Sequence, residues 1–383
     1  MLTDKELTAP SQADDRAAIQ KAIWLLAAVA LNAVEMAIPR LPFLPWLKPG
    51  FANIITILWI MKYGFGDALL YTALRVWISG FYFGFSLFTL SLSLSGGLLS
   101  TVAMFAIWAA LGRRGLTGTV GMAIVGALFH NIGQLAVIYV MMSRNIGVLG
   151  QIPFMLCAAV VFGGLVGALT PGVGRVLEFG AEGVGTDNIG TDRIDTAHVK
   201  TAVAAKLIIA LTFAVSISLM FINNIYVLIA AVVIYSLVSL SLNIKKPSVL
   251  IYPARFYILF LFVAFTNLFF SYGKRIDAVP FITEEGVTAF VKQSQRLWCW
   301  LQTVHILNRF DFHKSFIALL YRFFPNKKDT LEAGMIALEY FPEVVKLSKS
   351  SKKFSIKVLI TSPKTALTEY VRDVTNRISQ IVK

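Results

Sequence analysis

The sequence predicts an all-α, polytopic membrane protein with about ten transmembrane helices, followed by amphipathic helices in water on the cytoplasmic side. Three observations carry this prediction. First, 57% of the 383 residues are hydrophobic and only 15% are charged, with a mean hydropathy of +0.71; soluble domains run at roughly 25% charged. Second, the apolar residues fall into blocks of about 20, the length a helix needs to cross a hydrocarbon core. Third, the excess positive charge is concentrated at one end: residues 311–383 hold 13 Lys and Arg against 7 Asp and Glu. A basic tail after a membrane domain marks a cytoplasmic face and does not call for nucleic acid as a partner.

Residues 1–20 form a polar tail with no cleavable signal peptide. Six apolar segments follow, at about 21–38, 50–63, 66–82, 85–111, 119–142 and 151–170. The second is barely long enough to cross, and the fourth contains Ser95-Gly96-Gly97, where a close helix contact or a local break is expected. Residues 171–200 are rich in Gly, Thr and Asp and read as an aqueous linker. The first membrane module is accordingly set at 21–177 and the linker at 178–200. Four further spans lie near 203–221, 225–243, 250–272 and 287–308, giving a second module over 201–310. The last of these carries Lys292, Gln293, Gln295, Arg296, Gln302 and His305, a polar face expected to meet water or another subunit. Trp298 and Trp300 are expected as interface anchors.

Beyond residue 311 the helical period continues with charges on one side. In the final helix Leu367, Val371, Val374, Ile378 and Ile381 form a narrow apolar seam that needs a groove or another helix, with Ser362 and Pro363 as its start signal. Lys and Arg are more frequent in alternate short loops, which places both termini in the cytoplasm and the chain in the cell membrane.

The usual catalytic signatures are missing. There is no G-x-x-x-x-G-K-[ST] phosphate loop and no pair of D-D-x-x-D segments. The four histidines do not pair at ligand spacing, and Cys157 and Cys299 lie far apart in apolar stretches. No catalytic residue, metal or cofactor is expected, and ATP hydrolysis would need separate subunits. What remains is a set of polar groups inside apolar spans, which are costly there and mark a site by default. They are Glu35, Asn53, Arg75, His130, Asn131 and Gln134. His130 and Gln134 are one helical turn apart and share a face. Two readings stand for each set. Glu35 and Arg75 either serve a ligand or neutralise each other as an internal ion pair, and the fifth-span trio either binds a ligand or only joins helices by hydrogen bonds. Lys48-Pro49-Gly50 is either a mobile loop over a pocket or a helix start.

Residues 21–177 resemble the Gx transporter family, also named heptaprenyl diphosphate synthase component I. The resemblance rests on Glu35, the run from Pro49 to Asn53, Arg75, Ser95-Gly96-Gly97, Gly126-Ala127 and the run from His130 to Gln134. That family is similar in plan to the substrate-binding S components of energy-coupling factor (ECF) transporters. Residues 200–350 resemble the CbiQ-like transmembrane T component of the same transporters, through the opening at Lys206, the stretch around Arg296, Arg322-Phe323-Phe324-Pro325 and the segment from Ala337 to Pro342. The T family docks its ATPases through short Ala-Arg-Gly or Ala-Arg-Ser motifs. The corresponding place here reads Lys349-Ser350-Ser351-Lys352-Lys353, and the last helix offers Arg372 and Arg377.

Together these resemblances imply a fusion of S-like and T-like modules. It would bind a small vitamin-like or cofactor-precursor molecule, such as a flavin, quinone or isoprenoid precursor. Cytoplasmic ECF-type ATPases would engage Glu339, Pro342, Lys349, Lys352, Lys353, Arg372 and Arg377. The alternative is a membrane scaffold that holds such a molecule for redox or isoprenoid enzymes without transporting it.

Overall fold

The computed structural model describes residues 12–37, 48–83, 87–141, 146–182, 203–243, 247–271, 273–277, 279–308, 312–350 and 361–381. They form thirteen α-helices and one short hairpin. The N-terminal half contains α1 (Gln12–Ala37), α2 (Ala52–Tyr63), α3 (Phe65–Phe83), α4 (Leu87–Ala110), α5 (Thr119–Met141) and α6 (Ile152–Glu182). Next come α7 (Val203–Ser218), α8 (Ile225–Leu242), α9 (Tyr257–Phe269) and α10 (Glu284–Asn308), then α11 (Phe312–Phe323), α12 (Lys328–Ser350) and α13 (Pro363–Ile381). Between α9 and α10, β1 (Arg275–Ile276) pairs antiparallel with β2 (Val279–Thr283), a small departure from an all-α chain.

Among the described residues, six helical segments are long and apolar enough to cross a membrane: Arg16–Glu35, Leu87–Arg114, Thr119–Met141, Leu149–Glu178, Ile225–Leu242 and Leu250–Phe269. Ala52–Tyr63 and Leu207–Ser218 are apolar but shorter. Helices α3 and α10 lie at the other two expected positions but are not among the six segments long and apolar enough to cross. The chain is a multi-pass helical membrane protein.

Two kinds of apolar helix are present. On α5 to α8, Phe129, Phe154, Val160, Leu211 and Leu237 point outward, as a lipid-facing surface requires. Helix α1 is different: every side chain from Lys21 to Leu31 is buried. It is enclosed by α2, α3, α6, α12 and α13. The seam expected on the last helix is used here, since Leu367, Val371, Val374 and Ile378 are at most 1% exposed and join the cluster built around α1. Helix α12 adds Leu331, Ala337, Phe341 and Val344 to the same cluster.

Helices α4, α5 and α6 approach closely because small residues line their contacts. A Cβ on Gly133 would lie 2.8 Å from the Ser95 carbonyl oxygen, and one on Gly167 would lie 2.3 Å from Val120 Cα. Hydroxyls add to both contacts: Ser95 Oγ donates to Gly133 O at 2.8 Å and Thr119 Oγ1 to Gly167 O at 2.8 Å. The Ser95-Gly96-Gly97 run is therefore a close contact inside an unbroken α4.

Helix α6 runs through Pro171 to Glu182, into the segment expected to be linker. Packing explains the extension. Val173 and Leu177 are fully buried, while Pro171 sits on the exposed side. Gly172 faces Thr368 of α13 and Gly174 faces Leu58 of α2.

The polar face of α10 is also not where the sequence put it. Gln293, Arg296 and Gln302 are buried, at 3%, 1% and 0% exposure. Arg296 Nε donates to Leu219 O at 3.0 Å, and Nη2 donates to Ile222 O at 2.7 Å and Asn223 Oδ1 at 3.1 Å. The guanidinium thus satisfies carbonyls just beyond the end of α7, a need every helix terminus has. Trp300, expected at the interface, is 2% exposed and donates from Nε1 to Ser216 O at 2.8 Å.

Candidate functional site

The six polar residues singled out in the first module line one cavity of about 170 Å³. Four helices deliver them: Glu35 from α1, Asn53 from α2, Arg75 from α3, and His130, Asn131 and Gln134 from α5. Asn32, Lys48, Ser79, Thr89 and Ser93 add to the polar lining, while Phe88, Phe162, Phe256 and Leu259 supply apolar walls. Phe256 and Leu259 belong to the second half of the chain, so the two halves enclose the site together.

Local structure fixes each group. Helix α2 begins at Ala52 without a side-chain cap from Phe51. The missing acceptor comes from α1: Ala52 N–H donates to Glu35 Oε1 at 3.1 Å. A carboxylate at a helix N-terminus satisfies an orphan donor and complements the helix dipole. The turn before α2 needs Gly50, whose φ is +77°, and Asn53 N–H donates back to Gly50 O at 2.9 Å. Lys48-Pro49-Gly50 is therefore both the entry to α2 and part of the cavity wall.

Glu35 is 5% exposed and Arg75 7%. Lys48 and Arg75 are the cations that share the cavity lining with Glu35. Arg75 also lies over the Tyr71 ring, with its guanidinium carbon 6.0 Å from the centroid. On α5, Asn131 Nδ2 donates to Met155 O on α6 at 2.8 Å, so this amide joins two helices. His130 and Gln134 fit against α4 because residue 96 is glycine. A Cβ there would stand 3.0 Å from His130 Nδ1 and Cε1 and from Gln134 Cγ. Among the described residues, Arg75 Nε, Ser79 Oγ and His130 Nδ1 are buried without a hydrogen-bond partner. Polar atoms without a partner are costly in a protein interior, and these three belong to residues that line the cavity.

Residues 25–173 match the family described as heptaprenyl diphosphate synthase component I. The matched stretch holds all six of these residues and ends inside α6, before Phe256 and Leu259. No curated protein and no solved structure matches the chain.

The residues expected to meet partner subunits are spread along the C-terminal helices. Glu339 and Pro342 are exposed on α12, and Arg372 is exposed on α13. Arg377 is half-buried and paired with Asp373 at 3.1 Å. Lys352, Lys353 and the side chain of Lys349 lie outside the described residues.

The sequence reading passed over a second polar cluster, at the end of α1 away from the cavity. Lys21 Nζ meets Asp67 Oδ1 at 3.1 Å and Thr330 Oγ1 at 2.8 Å, and it also pairs with Asp329. Thr330 Oγ1 donates to Asp67 Oδ1 at 2.6 Å, and Lys327 pairs with Asp67 as well. This neutral set of two lysines and two aspartates ties α12 to α1 and α3. A lone Asp in the first turn of an apolar helix gives no sign in the sequence that lysines from two distant segments will reach it.

Proposed function

We propose that the chain is the membrane subunit of an ECF-type transporter, combining a substrate-binding and a coupling module. It takes a small molecule into the cavity between its halves, and separate cytoplasmic ATPases act on it through α12 and α13. The observation that carries this reading is the convergence of polar side chains from α1, α2, α3 and α5 on one cavity that retains orphaned polar atoms. The family match over 25–173 and the S-like resemblance of that stretch agree with it. Nucleotide hydrolysis is assigned to partners because the sequence offers no phosphate loop.

Helix α1 supports the coupling half of the proposal. It carries Glu35 on the cavity and Lys21 in the cluster that holds α12, fourteen residues and about 21 Å apart along the helix. The coupling surface proper is the face that α12 and α13 leave exposed, with Glu339, Pro342 and Arg372. The distribution of positive loops supports cytoplasmic termini in this reading.

The test is purification of the full chain from its own membranes, with mass spectrometry of bound small molecules and identification of copurifying chains. Transport predicts two ATPase chains and ATP-dependent accumulation of the bound molecule in vesicles. A bound molecule with redox or prenyl-transfer partners and no accumulation would instead establish the scaffold reading. One observation favours that second reading: the apolar seams of α12 and α13 are already occupied by α1 and α6 of the same chain.

A further inference from the structure

We propose that the cavity selects a small planar monocarboxylate, one ring in size, with its carboxylate on Arg75 and Ser79 and its ring among Phe88, Phe162 and Phe256. This rests on the reading of the cavity as a ligand site and names the chemical class of its occupant.

Size comes first. The cavity measures about 170 Å³, and a cavity of roughly 150 Å³ in another protein holds one benzene molecule. One ring and one compact substituent match that volume.

Charge comes second. A carboxylate and a guanidinium in one pocket would suit a zwitterion if both were open to it. Here the Glu35 carboxylate already accepts from Ala52 N–H at the start of α2. The lining holds Lys48 and Arg75 against Glu35, a formal excess of one positive charge that one anionic group balances. A phosphate monoester would bring nearly two charges to that excess of one.

Hydrogen bonding comes third. Arg75 is 7% exposed and Ser79 5%, and both line the cavity. Arg75 Nε and Ser79 Oγ have no hydrogen-bond partner among the described residues. A guanidinium donates in a planar fork that a carboxylate accepts in two parallel bonds. Ser79 adds a neutral donor one turn further along α3. Phe88, Phe162 and Phe256 give the same lining its aromatic surface for the ring.

The experiment is calorimetric titration of the full-length protein in nanodiscs with benzoate, benzamide and benzylamine, which share a ring and differ in charge. Benzoate is expected to bind at least about tenfold more tightly than benzamide, the difference one hydrogen bond to a charged group makes. Benzylamine is expected to be the weakest. Arg75→Gln should bring benzoate down to the benzamide value, and Ser79→Ala, a smaller change, should weaken benzoate several-fold while leaving benzamide alone. The ranking of the three probes on the unaltered protein needs no variant to fold. Benzamide or benzylamine binding as tightly as benzoate overturns the carboxylate assignment and leaves the cavity a small-molecule site. Silence of all three probes overturns it too, and the copurification assay then decides separately whether the cavity binds anything.

Discussion

Asp67→Asn is expected to destabilise the protein by about 3 kcal/mol, and the local geometry sets that figure. The side chains of Lys21 and Asp67 are 5% and 6% exposed and lie 3.1 Å apart. At that distance two unit charges attract by about 5 kcal/mol at an effective dielectric of 20. Removing one partner from such a buried pair typically costs about 3–5 kcal/mol, because the other charge stays buried without compensation. The lower end applies here. Asp329, 35% exposed, still holds Lys21, and Lys327, 37% exposed, can turn to water. The assay is denaturant unfolding in mild detergent followed by tryptophan fluorescence, since Trp24 and Trp59 sit in the adjoining cluster. Hydrogen exchange over 328–350 should rise in the same variant, because α12 loses a tether. The double variant Lys21→Met with Asp67→Leu leaves the part-exposed Lys327 and Asp329 to water, and should return to within about 1 kcal/mol of the parent. A cost below about 0.5 kcal/mol for Asp67→Asn, the range of a surface change, would refute the reasoning and make the cluster a hydrated one.

Three further pairs of substitutions probe the packing and the start of α2. Gly167→Leu should force α5 from α6 and cost about 1–3 kcal/mol or more, since its Cβ would meet Val120 Cα at 2.3 Å, whereas Gly164→Leu, with nothing within 4 Å, should be neutral; the yield of monodisperse protein compares them. Leu367→Ala, at a fully buried position on α13, should cost about 2–5 kcal/mol, against less than about 0.5 kcal/mol for exposed Glu369→Ala, both read by unfolding. Glu35→Leu removes the acceptor that Ala52 N–H uses and should cost about 1–2 kcal/mol, while Glu35→Gln keeps an acceptor and should cost less; a Gln variant as damaging as the Leu variant would show that charge alone matters.

What could be read in the sequence follows from what a bilayer penalises. Glu35, Arg75 and His130 stand out in apolar runs because an ionisable group there is costly, and all three line the cavity. Ser79 was not legible, since a serine in a membrane helix carries little penalty and normally bonds back to its own backbone. Nor was Phe256, one of 29 phenylalanines with nothing in its neighbours to tell it apart. Periodicity fixes which face of a helix is buried and leaves its partner open. The seam from Leu367 to Ile378 was therefore visible, but its place on α1 and α6 was not. The same limit misled the reading of α10. Arg296 looks like a surface charge until the carbonyls of Leu219 and Ile222, more than seventy residues earlier, are brought to it.

Helix α1 is where the two parts of the proposed function meet, and its burial gives that position mechanical consequence. A lipid-facing helix can absorb a shift at one end by sliding against fluid chains. From Lys21 to Leu31, α1 has packed protein on every side, and interiors at such density transmit displacement instead of dissipating it. Its Glu35 end holds the first turn of α2 and therefore senses anything that moves the cavity wall at Ala52 and Asn53. Its Lys21 end grips Thr330 at the start of α12. Tyr370 of α13 reaches the same helix midway, donating to Ala30 O at 3.2 Å. In the proposed function, a ligand that shifts the first turn of α2 acts on α1 through Glu35, and α1 is packed against α12 and α13. This arrangement also explains why a polar cluster as costly as Lys21, Asp67, Lys327 and Asp329 has a use: a hydrophobic contact would let α12 slip along α1, whereas paired charges with a shared Thr330 hydroxyl fix one register.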